Sequence, residues 1–320
     1  MKYKKFGNTG LELSQIALGT WALSGDMGAI EDKVAFETID AMIDCGCNFI
    51  DTAPTYGRGA AEELLGKALK ANGKRDEVTL LTKCGIRWPE GPKDFSKGSI
   101  RDSSYDSIMK QIDQSLERLQ TDHIDIYLIH WPDVNTPIEE TVRALEDMKK
   151  TGKIRFTGVS NFEEPSLSQV YDLNALDVIQ YEYNALNRSR EGILKEYSEK
   201  GVGTMGYGSL GGGILTGTIR EIPSFDAHDA RSGFYGRFFK EPMFSKVMEM
   251  LKVADVIANE RKVSVAEIFL NWALKHDFIN TLLTGVTSPE TAKINTAAMN
   301  WELSDEEFVL LNEALDKLED

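Results

Sequence analysis

CNFIDTAPTYGRGAAEELLGKALKANGKRDEVTLLTK, residues 47–83, reads as strand, helix, strand. CNFID is short and apolar at most positions, as a parallel strand buried on both faces should be. After the polar loop, a helix is expected from Glu62 to Ala71, with Ala60, Leu64, Leu65, Ala68 and Leu69 on one face and Gly73 as its stop. EVTLLTK is again strand-like. The unit is therefore βαβ, which calls for a parallel sheet with a helical crossover.

The same alternation runs outward in both directions. Upstream lie QIALGT and a helix from Lys33 to Cys45. Downstream come a helix from Ile108 to Leu119, HIDIYLIH, a helix from Ile138 to Lys150, IRFTGVS, a helix around Leu167, LDVIQY, a helix around Ile193, GVGTMGY and finally NTLLTG. That makes eight strands, most followed by a helix. The count favours a closed (β/α)8 TIM barrel of α/β class over an open doubly wound sheet. One domain is expected over residues 1–320, since barrels of this size routinely fold as a unit. KKF and LELS, flanking GNTG, suggest a β-hairpin cap at the N-terminus.

Two connections exceed simple turns: 85 to about 105 after the third strand, and 208 to about 242 after the seventh. Both follow strand C-terminal ends, where barrels build their sites. Trp88, Phe95, Phe225, Phe234, Tyr235, Phe238 and Phe239 mark them as ordered lids, because aromatic residues are rare in disordered segments.

Composition narrows the function. With 36 basic and 51 acidic residues the chain carries a formal charge of −15, which opposes binding to nucleic acid or anionic membrane. No apolar run approaches the roughly 18 residues of a membrane span, and MKYKKFGNTG lacks a signal-peptide core. A cytoplasmic location is expected. Cys45, Cys47 and Cys84 read as reduced thiols, and no His or Cys spacing matches a metal site. Met27 and Met42 read as core filler, and His123, His228 and His276 as structural.

The barrel makes a demand on the catalytic groups: they should end different strands and meet at one mouth. Asp51 ends CNFID, Lys83 ends EVTLLTK, His130 ends HIDIYLIH, and Tyr56 lies in the loop after the second strand. Taken alone, each has an ordinary role as cap, surface charge or structural histidine. Together they suit acid catalysis by a phenol. An ammonium about 4 Å from Tyr56, at an effective dielectric of roughly 20, favours the phenolate by up to about 4 kcal/mol. Lys83 can supply that charge, Asp51 can keep it protonated in a buried setting, and His130 can bind the substrate oxygen.

DTAPTYG, TLLTK and LIHWPD resemble the catalytic tetrad motifs of the aldo-keto reductase superfamily. GLELSQIALGTW, GKIRFTGVSNF, QYEYNALNR, YGSLGGGILTG and WELSDEEFVLLNEAL extend the resemblance from about residue 4 to the C-terminal helix. The resemblance implies NADP(H), with NAD(H) also allowed, bound without a Rossmann fold. It implies Tyr56 as proton donor, tuned by Asp51 and Lys83, with His130 orienting the carbonyl. It assigns Ser160, Asn161 and Gln180 to the nicotinamide carboxamide, Tyr207 to ring stacking, and Thr20 and Trp21 to further cofactor or pocket contacts. Gly208, Ser209, Leu210, Gly213 and Gly217 are expected around the pyrophosphate. Gly208 and Ser209 replace a Ser-Pro pair common in relatives, which is expected to loosen the loop.

After the eighth strand, Gly285, Thr287, Ser288, Thr291 and Asn295 are expected at the adenosine end. A basic residue common there in relatives is absent, leaving hydroxyls, helix N–H groups and Lys293 to hold a phosphate. GYGSLG, a literal GxGxxG match, follows the seventh strand instead of opening a βαβ unit and is rejected as a Rossmann fingerprint. Trp21, Tyr56, Trp88 and Trp131 are expected to line a pocket for a small carbonyl or alcohol substrate. A competing implication is a regulatory, cofactor-holding protein similar to potassium-channel β subunits. The short stretch before the hairpin favours the enzyme. The sequence assigns no oligomeric state.

Overall fold

The computed structural model describes residues 1–89, 98–226 and 229–318. The chain opens with β1 (Tyr3–Lys5) and β2 (Glu12–Ser14), paired antiparallel with Tyr3 opposite Ser14. Then follow β3 (Ile16–Gly19), α1 (Asp32–Asp44), β4 (Phe49–Asp51), α2 (Ala60–Asn72) and β5 (Thr79–Cys84). After β5 a small antiparallel ribbon, β6 (Ile86–Arg87) and β7 (Ile100–Arg101), precedes α3 (Tyr105–Leu119). Next come β8 (Ile124–Ile129), α4 (Ile138–Lys150), β9 (Ile154–Ser160), α5 (Ser166–Asp172), β10 (Val178–Glu182), α6 (Glu191–Glu199) and β11 (Gly203–Tyr207). The chain ends with α7 (Ala230–Gly233), α8 (Met243–Arg261), α9 (Val265–Leu274), β12 (Thr281–Gly285), α10 (Pro289–Ala297) and α11 (Asp305–Asp316).

Strands β3, β4, β5, β8, β9, β10, β11 and β12 close into a parallel barrel, sealed where Leu283 of β12 pairs with Ala17 of β3. This is the (β/α)8 barrel expected from the alternation. β5 and β8 are buried almost throughout because both faces are covered. One apolar cluster fills the barrel interior, including Ala17, Phe49, Leu81, Ile126, Leu128, Val178, Met205 and Leu283. Phe6 and Leu13, from the hairpin, join it. The hairpin plugs the N-terminal end, with Phe6 against Phe49 at 5.9 Å between ring centroids, and leaves the C-terminal mouth open. A second, larger cluster lies between strands and helices.

Element ends follow their chemistry. Gly73 takes the left-handed conformation after α2, and capping boxes Ser264–Glu267 and Ser304–Glu307 start α9 and α11. Glu139 and Glu140 sit in the first turn of α4 and Lys149 and Lys150 in its last, complementing the helix dipole. The α2 face differs from expectation. Ala61, Leu65, Ala68 and Leu69 are buried, whereas Ala60 and Leu64 are half-buried. The helix starts two residues earlier than expected and turns Glu62 inward, where Arg118 and Thr82 bind its carboxylate.

The connection after β11 is built from short turns, with Tyr235, Phe238 and Phe239 buried in the core. Phe225 packs on Phe239. Phe95 and His228 lie outside the described residues. Nor is the loop at 208–209 loose, because Ser209 Oγ donates to the Leu283 carbonyl and Asn184 Nδ2 to the Gly208 carbonyl. His276 is structural, lying among Trp272, Tyr183, Phe278 and Phe308. No helix among the described residues is long and apolar enough to cross a membrane.

Candidate active site

Three strand ends, those of β4, β5 and β8, and the turn after β4 deliver the central groups. Lys83, fully buried at the end of β5, donates to Asp51 Oδ2 at 2.7 Å, to the Thr52 carbonyl at 2.9 Å and to the Tyr56 hydroxyl at 3.2 Å. Three acceptors for one amino group describe an ammonium with all three protons used. Because Lys83 donates to the phenol oxygen, the phenol's own proton points elsewhere. Asp51 is held from a second side by Gln180 Nε2 at 2.8 Å.

Tyr56 sits on a tight turn closed by its N–H to the Ala53 carbonyl. Gly57 and Arg58 both follow with left-handed backbone. A Cβ at Gly57 would lie 2.6 Å from the Ser24 carbonyl, so the turn requires glycine there. Arg58 has no such freedom, and its φ of 51° stores strain of order 1 kcal/mol beside the phenol. The Trp21 ring stacks along Tyr56 at 5.9 Å and 20°, and His130 meets it edge-on at 6.0 Å. His130 Nδ1 lies 3.4 Å from Thr55 Oγ1.

Electrostatics correct one expectation. Burial, and then the Asp51 charge, hold the Tyr56 phenol well above its ordinary value, so Lys83 does not produce a phenolate here. The Lys83 charge is already matched by Asp51, and a phenolate would add a second buried anion to one cation. Burial lowers Lys83 while Asp51 opposes the change. Burial, with Lys83 adding repulsion, holds His130 well below 6.5 and therefore neutral.

Around the mouth, Asn161 takes a left-handed backbone at φ 62° after β9. Its Nδ2 donates to the His130 carbonyl and to Ser160 Oγ, and its Oδ1 accepts from Tyr207 at 2.8 Å. Ser160, Asn161, Gln180 and Tyr207 thus form one network with the tetrad. Gln180 also points its amide at Met205 Sδ.

Beside this network runs a cleft of about 530 Å³. Its walls include Trp21, Asp51, Tyr56, Tyr207, Gly208, Ser209, Leu210, Gly213, Gly285, Thr287, Thr291 and Asn295. Ser288 caps α10 next to it, its Oγ accepting from the Thr291 N–H. Other expected residues fall elsewhere. Gly217 packs on Val265, and Thr20 is fully buried with an unpartnered hydroxyl. Trp88 and Trp131 lie outside the cleft walls, beneath the guanidinium groups of Arg58 and Arg101. Conversely Met27, expected as filler, lines the cleft.

Sequence reading named Tyr235 only as a lid aromatic and missed Gly212 and Arg231. Tyr235 packs on the glycine turn, its Cγ 2.7 Å from where a Gly212 Cβ would be. The GGG run was the available signal for Gly212. Arg231 carries none, because a long loop brings it in, whereas Tyr235 belongs to the aromatic set that marks that loop as ordered.

The cleft fits an extended dinucleotide. Gly208, Gly212 and Gly213 with positive φ bring backbone close to the cleft, and Asn295, 1% exposed, holds an Nδ2 with no partner in its wall. Among the described residues no cluster of His, Cys, Asp or Glu could hold a metal.

Comparison with known proteins points to one family. The aldo/keto reductase family matches residues 15–316. The aldo-keto reductase YhdN of Bacillus subtilis is 36% identical over 319 residues, covering 99% of this chain and 94% of that protein. The NADH-specific methylglyoxal reductase of Escherichia coli is 35% identical over 330 residues, covering 100% of both. The solved glycerol dehydrogenase of Gluconobacter oxydans superposes with a TM-score of 0.89 at 33% identity, covering 98% of this chain and 95% of that one. With the match running through every strand of the barrel, the chain belongs to the aldo/keto reductase family.

Proposed function

We propose that the chain reduces a small aldehyde or ketone with a nicotinamide coenzyme, or runs the reverse oxidation, with Tyr56 as general acid or base. The observation that carries this reading is the Asp51–Lys83–Tyr56 chain of hydrogen bonds, opening on a cleft of dinucleotide size. When bound, a reduced nicotinamide supplies the hydride to the carbonyl carbon. Tyr56 gives its proton to the carbonyl oxygen, and the oxygen left behind faces the Lys83 ammonium. Asp51 and Gln180 fix that ammonium and carboxylate in place. Neutral His130, edge-on to Tyr56, hydrogen-bonds the substrate oxygen as negative charge develops. Ser160 and Asn161 are assigned to the carboxamide, Tyr207 to the nicotinamide face, and the glycine turn to the pyrophosphate.

Coenzyme choice rests on Gly285, Thr287, Ser288, Thr291 and Asn295. NADP(H) would be held by hydroxyls and the start of α10. Arg231 is the cation lining the cleft among the described residues, and it is bound to Asp229 and the Met27 carbonyl. Preference for NADPH over NADH is therefore small, within about tenfold, the effect of about 1.4 kcal/mol. The similar methylglyoxal reductase is described as NADH-specific. We place the reaction in the cytoplasm and on a small molecule, within one barrel domain. Steady-state oxidation of NADH and NADPH with methylglyoxal and a panel of aldehydes tests the reading. Turnover with both coenzymes supports it. Tight coenzyme binding without turnover contradicts it and favours a regulatory role.

A further inference from the structure

Asp26, in the loop after β3, belongs to no motif in the sequence, yet three separate segments converge on it. Its Oδ2 accepts from Trp21 Nε1 at 3.0 Å and from the Gly57 N–H at 3.1 Å. Its carbonyl accepts from the Ala230 N–H at 2.8 Å, at the start of α7 in the long loop after β11. One of these contacts fixes the indole that stacks along Tyr56. Another fixes the residue immediately after Tyr56, within the left-handed turn. The ring of the phenol and its backbone are therefore clamped by one carboxylate oxygen.

Resting on the reading of Tyr56 as the proton donor, we infer that Asp26 is a positioning residue for that phenol, acting through Trp21 and Gly57. A carboxylate suits the role because it only accepts, and both partners only donate. Commitment of Nε1 to Asp26 also takes the indole N–H away from any substrate oxygen in the cleft that Trp21 lines. Proton transfer is sensitive to sub-ångström placement, so loosening the clamp should act on kcat more than on binding.

The test compares Asp26→Ala, Asp26→Asn, Trp21→Phe and the Asp26→Ala/Trp21→Phe double variant, using the best aldehyde from the panel. Asp26→Ala should lower kcat by about tenfold to a hundredfold with coenzyme KM nearly unchanged. Asp26→Asn keeps an oxygen able to accept from both donors and should retain kcat within about threefold. The double variant should lose less than the product of the single losses, because both changes break one contact. Near-ultraviolet circular dichroism of the free protein reads the Trp21–Tyr56 pair without coenzyme or substrate. The signal removed by Tyr56→Phe should also be removed by Asp26→Ala. Wild-type kcat in Asp26→Ala, multiplicative single losses, or an unchanged dichroism signal would each overturn the inference while leaving Tyr56 as the acid. Loss of all turnover in the wild type would instead overturn the reading beneath it, and the dichroism comparison would still decide the clamp.

Discussion

Lys83 has three acceptors, and among the described residues His130 has none of the charge partners that would keep it protonated. These two residues set the pH behaviour of the site. Because His130 is held well below 6.5, the reductive kcat should show no inflection near pH 6.5. Tyr56 is held above 10 and Lys83 below 10.5, so the alkaline decline belongs to Lys83 losing its proton. Asp51→Asn removes the charge that opposes burial at Lys83 and should move that decline to lower pH. A kcat profile from about pH 5 to about pH 10, for wild type and Asp51→Asn, reads both effects. An acid limb near 6.5 in the wild type would show that His130 titrates as an ordinary imidazole.

At the scale of elements, the site is a set of neighbouring strand ends. Asp51 of β4 and Lys83 of β5 form an ion pair with both partners almost without solvent contact. Such a pair costs heavily in desolvation, and removing one partner leaves a bare buried charge. Lys83→Met alone should therefore destabilise the fold by about 3–5 kcal/mol, whereas Asp51→Asn/Lys83→Met should lie near wild type or above it. Denaturant melts of the two variants check this. A double variant as unstable as the single one would mean that the pair contributes net stability, and that the barrel does not sacrifice stability here for chemistry.

For the whole molecule, burial of neutral histidine ties stability to pH. His130 and His276 have folded pKa values lowered by burial, so the unfolded chain binds more protons as pH drops. Their contribution is complete above pH 6.5 and is lost as pH falls through the folded values. Replacing His130 with Asn should flatten the decline in melting temperature below pH 6.5, measured against wild type across the acid range. The global fold was legible because eight buried strands and their helices repeat one local pattern, and the tetrad because Asp51, Lys83 and His130 lie at strand ends and Tyr56 on the turn that follows one of them. Arg231 and Asp26 were not legible, and Tyr235 was legible only as an aromatic of a lid loop. The long connection after β11 brings Tyr235 and Arg231 to the cleft, Asp26 sits in the loop after β3, and no periodicity records where a loop returns. The tuning of Tyr56 was misjudged for a related reason: spacing shows that Lys83 and Asp51 are near, but not that they neutralise one another first.

The central claim is that Tyr56 is the proton donor of a turning-over reductase. Its most direct test is the loss of nicotinamide absorbance with aldehyde, comparing wild type with Tyr56→Phe, alongside fluorescence titration of coenzyme binding. Turnover by the wild type, a fall in kcat of about a hundredfold to ten-thousandfold in the variant, and unchanged coenzyme affinity are expected. A Tyr56→Phe protein that reduces aldehydes at the wild-type rate would contradict the claim.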